Sequence, residues 1–274
     1  MHIYVIIYNI YMGKLKKYVV FDLDETLGSF VELGILYEAL YKVYGVDLIN
    51  NHFNKILDIF PEFLRPNIMS ILLFVKRMKQ LKRCEKVFIY TNNQGPETWA
   101  KQLMEYFHYK LNYELFDQII PAYKVNGKIV EPRRSSHDKS YKDLIKCTDI
   151  LEGSKICFID DQYHEKMNTE NVCYINIKPY KQFLALGDIA NRYFDFFKPN
   201  INKLKFVNTI INFMSIFNLK IISTNEKELN IDNIIGKKML LHIKKFFNYK
   251  DNKTRKKIKK KNTNKSRKSN IFSN

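Results

Sequence analysis

Three clusters of polar residues each follow a short apolar run, and they hold the side chains of this chain best suited to chemistry. DLDET occupies residues 22–26, TNN residues 91–93, and DD residues 160–161. Carboxylates packed this closely repel one another unless a cation lies between them. Hard oxygen ligands at such density suit Mg²⁺. The clusters therefore predict a magnesium site assembled from separate parts of the chain.

The apolar runs alternate with segments of helical periodicity, which predicts an α/β fold. Strands are predicted over residues 18–21, 86–90, 119–122, 155–159 and 172–177. Helices are predicted over residues 31–44, 67–82, 97–107 and 140–147, with an Asn-Gly hairpin at residues 125–128. Strands separated by helices favour a Rossmann-like, doubly wound, mainly parallel sheet flanked by helices. Ligands bind outside the carboxyl ends of such strands, so the three clusters should converge on one crevice.

Composition divides the 274 residues into four segments. They are an uncertain N-terminal segment (1–16), an α/β domain (17–197), a helical extension (198–236) and a basic tail (237–274). The first segment is apolar and is either a strand or the product of an early start codon, with Met12 as the true beginning. Between Lys237 and Lys268, 15 Lys or Arg accompany one acid, so the tail holds +14 of the net charge of +18. The tail offers almost nothing to bury, which predicts disorder.

Cysteine usage and hydropathy disfavour several classes of protein. The four cysteines form no CxxC pair and have no histidine cluster beside them, which argues against a zinc site or a disulfide framework. We expect reduced thiols in an intracellular compartment, the cytoplasm or the nucleus. No apolar run reaches the roughly 18–20 residues that a membrane span requires. The basic tail could be a nuclear-localisation signal, a nucleic-acid-binding arm, a membrane-surface patch or a solubilising extension.

The clusters resemble the motifs of the haloacid dehalogenase (HAD) superfamily of phosphatases. The matching residues are Asp22, Asp24 and Thr26 in the first motif, Thr91 in the second, a lysine near 139–142 in the third, and Asp160-Asp161 in the fourth. The DLDETL form is similar to the branch of RNA polymerase II C-terminal-domain phosphatases (FCP/SCP type, NIF-like). The resemblance covers residues 17–197. It departs after Asp161, where Gln162-Tyr163 replaces the Ser-Pro of that branch and leaves a peptide substrate in question.

The resemblance implies Mg²⁺-dependent hydrolysis of a phosphomonoester through an aspartyl-phosphate intermediate. Asp22 would be the nucleophile, and Asp24 the general acid and then the general base. Thr91 would donate a hydrogen bond to a phosphoryl oxygen, and Asn92 would supply a backbone N–H. The implied metal ligands are Asp22, Asp24 through its backbone carbonyl, Asp160 and Asp161. Thr26 would hold the loop.

Two lysines compete for the third motif, where a cation stabilises negative charge on the transferred group. Lys142 begins the letters KDL that the polymerase phosphatases also have at this motif. Lys139 stands just before Ser140, which is a good helix N-cap. Lys139 would then lie outside the first helical turn and point toward the sheet edge. We predict Lys139, with Lys142 as the alternative.

Several neighbours of these motifs have simpler interpretations. His137 and His164 are expected at the surface, and Trp99 with the aromatic residues around it in the core. Arg133-Arg134 is expected in a solvated turn, with binding of a second phosphate as the alternative.

The segments between the motifs are too short for a full globular cap, so we expect an open site with a small cap or none. Open sites suit macromolecular substrates, and a phosphoprotein is the first expectation. A polynucleotide 3′-phosphatase and a non-catalytic scaffold that binds nucleic acid or protein are the alternatives. The high Asn, Lys, Ile and Tyr content is typical of AT-rich genomes, such as those of large DNA viruses or protists. The sequence does not define an oligomeric state.

Overall fold

A computed structural model of the protein describes residues 15–45, 53–95, 97–219 and 226–249. Its strands are β1 (Lys17–Phe21), β2 (Val87–Tyr90), β3 (Gln118–Ile120), β4 (Lys124–Val125), β5 (Lys128–Ile129), β6 (Lys155–Asp160) and β7 (Val172–Asn176). Its helices are α1 (Val31–Tyr44), α2 (Phe53–Ile59), α3 (Ile68–Gln80), α4 (Glu97–Leu111), α5 (Tyr141–Cys147), α6 (Leu186–Phe197), α7 (Lys203–Ser215) and α8 (Glu226–Phe246).

Five strands form one parallel sheet in the order β3-β2-β1-β6-β7, and β4 with β5 forms the predicted hairpin. The chain moves outward from β1 to β3 and then crosses back to β6 and β7. The direction of winding therefore changes between β1 and β6, where doubly wound sheets bind ligands. The register pairs Phe21 with Ile159, so both strands end at the same level. The predicted parallel α/β architecture is confirmed.

Alternate residues of the strands pack into two separate cores. In β1, Val19 and Phe21 belong to the larger core, which includes side chains of α1, α3, α4 and α6. Tyr18 and Val20 belong to a smaller core on the opposite face, closed by Leu144 and other residues of α5 and its surroundings. Helices thus cover both faces of the sheet, and its central strands are buried except at the first residue of β1 and of β6, as parallel strands usually are.

The segment between Thr26 and α3 forms no separate cap domain in its described part. Helices α1 and α2 instead pack into the larger core, through residues such as Leu36 and Leu57. Helix α1 has the predicted bounds, whereas α4 continues four residues beyond its predicted end at 107. Helix α6 was not predicted, and the predicted helical extension at 198–236 contains α7 and the first part of α8.

The predicted boundary of the disordered tail at 237 is wrong, because α8 continues to Phe246 and packs on the domain. Met239, Ile243 and Phe247 recur every four residues and are buried. This spacing defines one apolar helix face, but the lysine pairs at 237–238 and 244–245 make the composition of the segment basic. Net charge therefore obscured the amphipathic pattern. Residues 250–274 and 1–14, with the question of Met12, lie outside the described residues.

The four cysteines are free thiols, three of them buried and Cys173 exposed. Among the described helices, none combines the length and the apolar character needed to cross a bilayer.

A buried carboxylate connects α1 to the segment after β7. Glu32 is fully buried, and its Oε2 accepts a hydrogen bond from the backbone N–H of Leu184 at 2.8 Å. Its Oε1 has no hydrogen-bond partner in the described part of the chain. Burial raises the pKa of Glu32 from 4.5 to about 7, because the ionised form loses its hydration.

We expect Glu32→Gln to stabilise the protein at alkaline pH. Between about pH 4.5 and 7 the folded state binds more protons at Glu32 than the unfolded state, so stability falls as pH rises. Gln cannot ionise, and should raise the free energy of unfolding at pH 8 by about 1–3 kcal/mol and leave it little changed at pH 4. Urea denaturation at both pH values measures this effect. The partly exposed Glu38→Gln on the same helix is the control, and equal changes in the two variants would contradict the account.

Helix α8 packs closely against the domain at Gly236. A Cβ at this position would lie 2.3 Å from the carbonyl oxygen of Pro66. Gly236→Ala should therefore displace α8 and lower the free energy of unfolding by about 1–3 kcal/mol, although alanine favours helices. Gly187→Ala on α6, where a Cβ meets no neighbour, is the matched control. Chemical denaturation and proteolysis between α7 and α8 measure the effect, which would be absent if α8 did not dock here.

Candidate active site

The acids of the first and third clusters meet at the carboxyl edge of the sheet. Asp22 follows β1, Asp160 ends β6, and Asp161 comes next. One carboxylate oxygen from each lies within 4.8 Å of the other two. Asp22 and Asp160 are buried and Asp161 is partly buried. The parallel register of β1 and β6 produces this convergence, because it brings both strand ends to the same level.

Lys139 is the cation that contacts this group of acids. Its Nζ lies 2.5 Å from Oδ1 of Asp22 and 2.7 Å from Oδ2 of Asp160, and the residue is only 1% exposed. Burial opposes the charged form of Lys139, but the two carboxylates outweigh it and raise its pKa. The lysine therefore stays protonated and neutralises part of the acid cluster.

The position of Lys139 follows from the cap of α5. The Ser140 side chain accepts a hydrogen bond from the N–H of Asp143 at 3.1 Å, as its predicted N-cap role requires. Lys139 thus precedes the helix and extends toward the strand ends. Lys142 lies inside α5 and is exposed. Of the two candidates, the fold brings Lys139 to the acids.

Asp22, Asp160 and Asp161 together carry more negative charge than Lys139 alone balances. Burial, with repulsion from Asp22 and Asp160, raises the pKa of Asp161 to about 6. Burial and the Asp22 charge likewise raise the pKa of Asp160 above its ordinary range, although Lys139 opposes the shift. All the donors are carboxylate oxygens, which are hard ligands. The donor set therefore fits a hard divalent cation bound by Asp22, Asp160 and Asp161.

The Asp24 side chain stands apart from these three acids. Its Oδ2 accepts a hydrogen bond from Nδ2 of Asn93 at 2.7 Å. Its Oδ1 is buried, with no hydrogen-bond partner among the described residues. Burial is the main cause that raises the Asp24 pKa, to about 7. Asp24 thus differs from Asp22 in its surroundings and favours a proton near neutral pH.

The Thr91 hydroxyl faces the same crevice and is oriented by its own loop. Its Oγ1 accepts a hydrogen bond from the N–H of Asn93 at 3.0 Å. An accepting hydroxyl still has its own proton to donate, so Thr91 can bind an anionic oxygen. Asn92 follows at the crevice wall.

Arg134 fastens this loop to the loop that carries Lys139. Its guanidinium donates to the carbonyl of Thr91 at 3.0 Å, to Oδ1 of Asn92 at 2.7 Å and to the carbonyl of His137 at 3.0 Å. Arg134 is buried, so its prediction as part of a solvated turn is wrong, whereas Arg133 is exposed and pairs with Glu131. The sequence does not distinguish Arg134 from Arg133, because the Thr91 carbonyl that binds Arg134 comes from a distant segment of the chain.

A second buried arginine, Arg65, holds the first cluster. It donates to the carbonyls of Thr26 at 2.7 Å, Lys178 at 2.9 Å and Glu25. Thr26 in turn exchanges hydrogen bonds with Asp161, each 3.1 Å long, as its predicted structural role requires. Sequence reasoning missed Arg65, since it lies 39 residues from Thr26 in a segment with no motif.

His164 is buried, so its prediction as a surface residue is wrong. Its Nδ1 lies 2.9 Å from Oδ1 of Asp138, and its Nε2 lies 3.6 Å from Oδ2 of Asp160. Burial lowers the pKa of His164, although Asp138 opposes the shift. His164 follows Asp160 by only four residues, and this short spacing was the one sequence signal that it would lie near the acids. His137 is exposed, as expected.

The acids, Lys139, the Thr91 loop and His164 line a crevice of about 270 Å³. Its charged lining consists of five acids, the four already described and Glu25, and two lysines, Lys139 and Lys181. Lys181 lies 3.3 Å from a carboxylate oxygen of Glu25. Acids outnumber cations at the surface of the crevice, which suits a bound cation better than a bare anion.

Comparison with family models, curated proteins and solved structures gives no match to this chain. The function must therefore be inferred from the arrangement of its own residues. The central feature of that arrangement is a cluster of three acids at the winding change of a parallel sheet, with a buried lysine bound to two of them.

We expect Lys139→Met to destabilise the protein strongly in metal-free buffer at pH 8. The change leaves Asp22 and Asp160 buried without their cation, which should cost about 3–5 kcal/mol of unfolding free energy. Added Mg²⁺ should recover part of that loss. Lys142→Met, at an exposed position on α5, should change stability by no more than about 0.5 kcal/mol. Thermal and urea denaturation with and without Mg²⁺ measure both variants, and equal losses in the two would contradict this assignment.

Proposed function

We propose that the protein hydrolyses phosphate monoesters with Mg²⁺, through a phosphoryl group carried on Asp22. The chemistry is that of the HAD superfamily, and its FCP/SCP branch, whose motifs the sequence resembles. The observation that carries the proposal is the contact of Asp22 with the buried Lys139, inside a cluster of acids that fits a divalent cation. A purely structural ion pair would not require two further acids at the same point.

In the first step, a carboxylate oxygen of Asp22 attacks the phosphorus atom and forms a new P–O bond. The ester P–O bond breaks, and its electron pair leaves with the alcohol oxygen. Lys139 holds Oδ1 of Asp22, so Oδ2 is the attacking atom. Asp24, which lines the crevice beside Asp22, gives its proton to the leaving oxygen.

In the second step, water attacks the phosphorus atom of the aspartyl-phosphate. Asp24 now takes a proton from that water, and the bond between Asp22 and phosphorus breaks. Inorganic phosphate leaves, and both aspartates return to their starting states. The hydrogen bond from Asn93 keeps Asp24 oriented in both steps.

The developing negative charge is stabilised by groups around the phosphoryl oxygens. Thr91 and Lys139 supply hydrogen bonds from two sides of the crevice. Asp22, Asp160 and Asp161 would hold the Mg²⁺ ion, together with the Asp24 carbonyl that the resemblance implies. When bound, the ion neutralises charge on the phosphate and on the acids.

The absence of a separate cap in the described chain suits a substrate group presented by a macromolecule, such as a phosphoprotein. The two alternatives have less support. A scaffold has no need of buried like charges, which are costly to fold. A polynucleotide end brings further phosphates to a crevice whose lining contains more acids than lysines.

Asp22→Asn should lower hydrolysis of an aryl phosphate by at least about a thousandfold, since the amide offers no anionic oxygen for attack. A panel of phosphopeptides, 3′-phosphorylated DNA and small phosphoesters, assayed with Mg²⁺, measures turnover. Intact mass spectrometry of Asp24→Asn, incubated with substrate, should detect one added phosphoryl group that is missing from the double variant with Asp22→Asn.

Asp188→Asn, at an exposed position of α6, is the matched control and should keep full activity. EDTA should abolish turnover, and Mg²⁺ should restore it. Undiminished activity of a folded Asp22→Asn protein, or of the wild type in EDTA, would refute the mechanism. So would a wild-type protein that hydrolyses none of the panel.

A further inference from the structure

Cys157 and Cys173 lie side by side on neighbouring strands of the sheet. The parallel register of β6 and β7 pairs the two residues directly, so their side chains point to the same face. Neighbouring strands are about 4.7–4.9 Å apart, and a disulfide joins residues whose Cα atoms are about 4.4–6.8 Å apart. A disulfide between the two cysteines therefore requires only a small approach of β7, which is an edge strand of the described sheet.

The two thiols differ in their access to solvent. Cys157 is fully buried in the larger core, whereas Cys173 is exposed. Cys173 lines a groove of about 350 Å³ between β7 and α8, and Lys238, Met239 and His242 line the same groove from the helix. A small oxidant that enters the groove can therefore reach Cys173, while Cys157 is shielded from it.

Cys173 also has the more reactive sulfur. A hydrogen bond from the Cys157 thiol is the main cause that lowers the pKa of Cys173, to about 7, and the charge of Lys17 acts in the same direction, whereas burial opposes the shift. Burial instead raises the pKa of Cys84 to about 12 and that of Cys147 to about 11. Since the thiolate is the nucleophilic form, Cys173 is the one cysteine of the chain that combines exposure with a thiolate near neutral pH.

We propose that Cys173 is a site of oxidation by peroxides, and that the oxidised residue forms a reversible disulfide with Cys157. In the first step, the Cys173 thiolate attacks one oxygen of hydrogen peroxide. An S–O bond forms, the O–O bond breaks, and hydroxide leaves with its electron pair, so that Cys173 becomes a sulfenic acid.

In the second step, the Cys157 sulfur attacks the Cys173 sulfur. The S–S bond forms, the S–O bond breaks, and the departing hydroxide takes the Cys157 proton and becomes water. The peroxide is thus reduced to water and hydroxide, while the two sulfurs together lose two electrons. A dithiol reductant reverses the reaction by thiol–disulfide exchange.

Alkylation of the native, full-length protein tests the reactivity of Cys173. Iodoacetamide at pH 7 should modify Cys173 at least about tenfold faster than Cys84 or Cys147, because the reagent combines with the thiolate and the other two thiols are buried and protonated. Peptide mass spectrometry of samples quenched at successive times measures all three rates together. Equal rates at the three positions would overturn the inference.

Hydrogen peroxide in stoichiometric amount should link Cys157 to Cys173 within one chain. After oxidation of the reduced protein, N-ethylmaleimide in denaturant blocks the thiols that remain. Trypsin cleaves after Lys166, between the two cysteines, so the disulfide is detected as two joined peptides that dithiothreitol separates. Cys173→Ser should abolish this product, and Cys147→Ala, which removes a thiol outside the pair, should leave its yield unchanged.

Cys157→Ala should stop the reaction at the sulfenic acid, because no neighbouring thiol remains to displace its hydroxide. Dimedone should then label Cys173 at least about threefold more strongly than in the wild type. Circular dichroism checks that the variant is folded, and the joined peptides of the wild type decide the matter if it is not.

A disulfide between two chains, a link from Cys173 to any other cysteine, or oxidation of Cys173 with no link to Cys157 would overturn the inference. So would equal dimedone labelling of the wild type and a folded Cys157→Ala protein. These measurements use no hydrolysis, so their outcome is independent of the proposed function.

Discussion

Repulsion among Asp22, Asp160 and Asp161 is the constraint on which the rest of the structure depends. Three carboxylates within 4.8 Å at the edge of a buried sheet lose hydration and oppose one another. Lys139 offsets part of this cost through two short ion pairs. The charge that remains is the reason a divalent cation fits. The same repulsion requires the loops around the acids to be held firmly, because carboxylates that were free to move would separate.

Two buried arginines supply that rigidity by binding backbone carbonyls. Arg65 joins the loop after β1 to the segment after β7, and Arg134 joins the loop after β2 to the loop before α5. Each guanidinium offers several donors in one plane, which suits carbonyls that converge from different segments. Neither arginine is among the residues that line the crevice, so both act by holding its loops in place.

Close packing at a glycine also determines how α8 docks at the edge of the domain. Gly236 lets α8 approach the Pro66 carbonyl, because a Cβ there would lie only 2.3 Å from that oxygen. Helix α8 also shows how a basic composition can conceal a docked helix, because its buried Met239 and Ile243 are flanked by pairs of lysines at 237–238 and 244–245.

The sequence by itself determined the parallel α/β sheet, the position of the acids at the carboxyl ends of β1 and β6, and the cap at Ser140 that separates Lys139 from Lys142. These features depend on local pattern and on the rule that parallel strands end at one edge. Only the tertiary structure decided that Arg65, Arg134 and His164 are buried. Those properties arise from contacts between distant segments, and a local pattern of residues carries no information on which distant carbonyl or ring will be its neighbour.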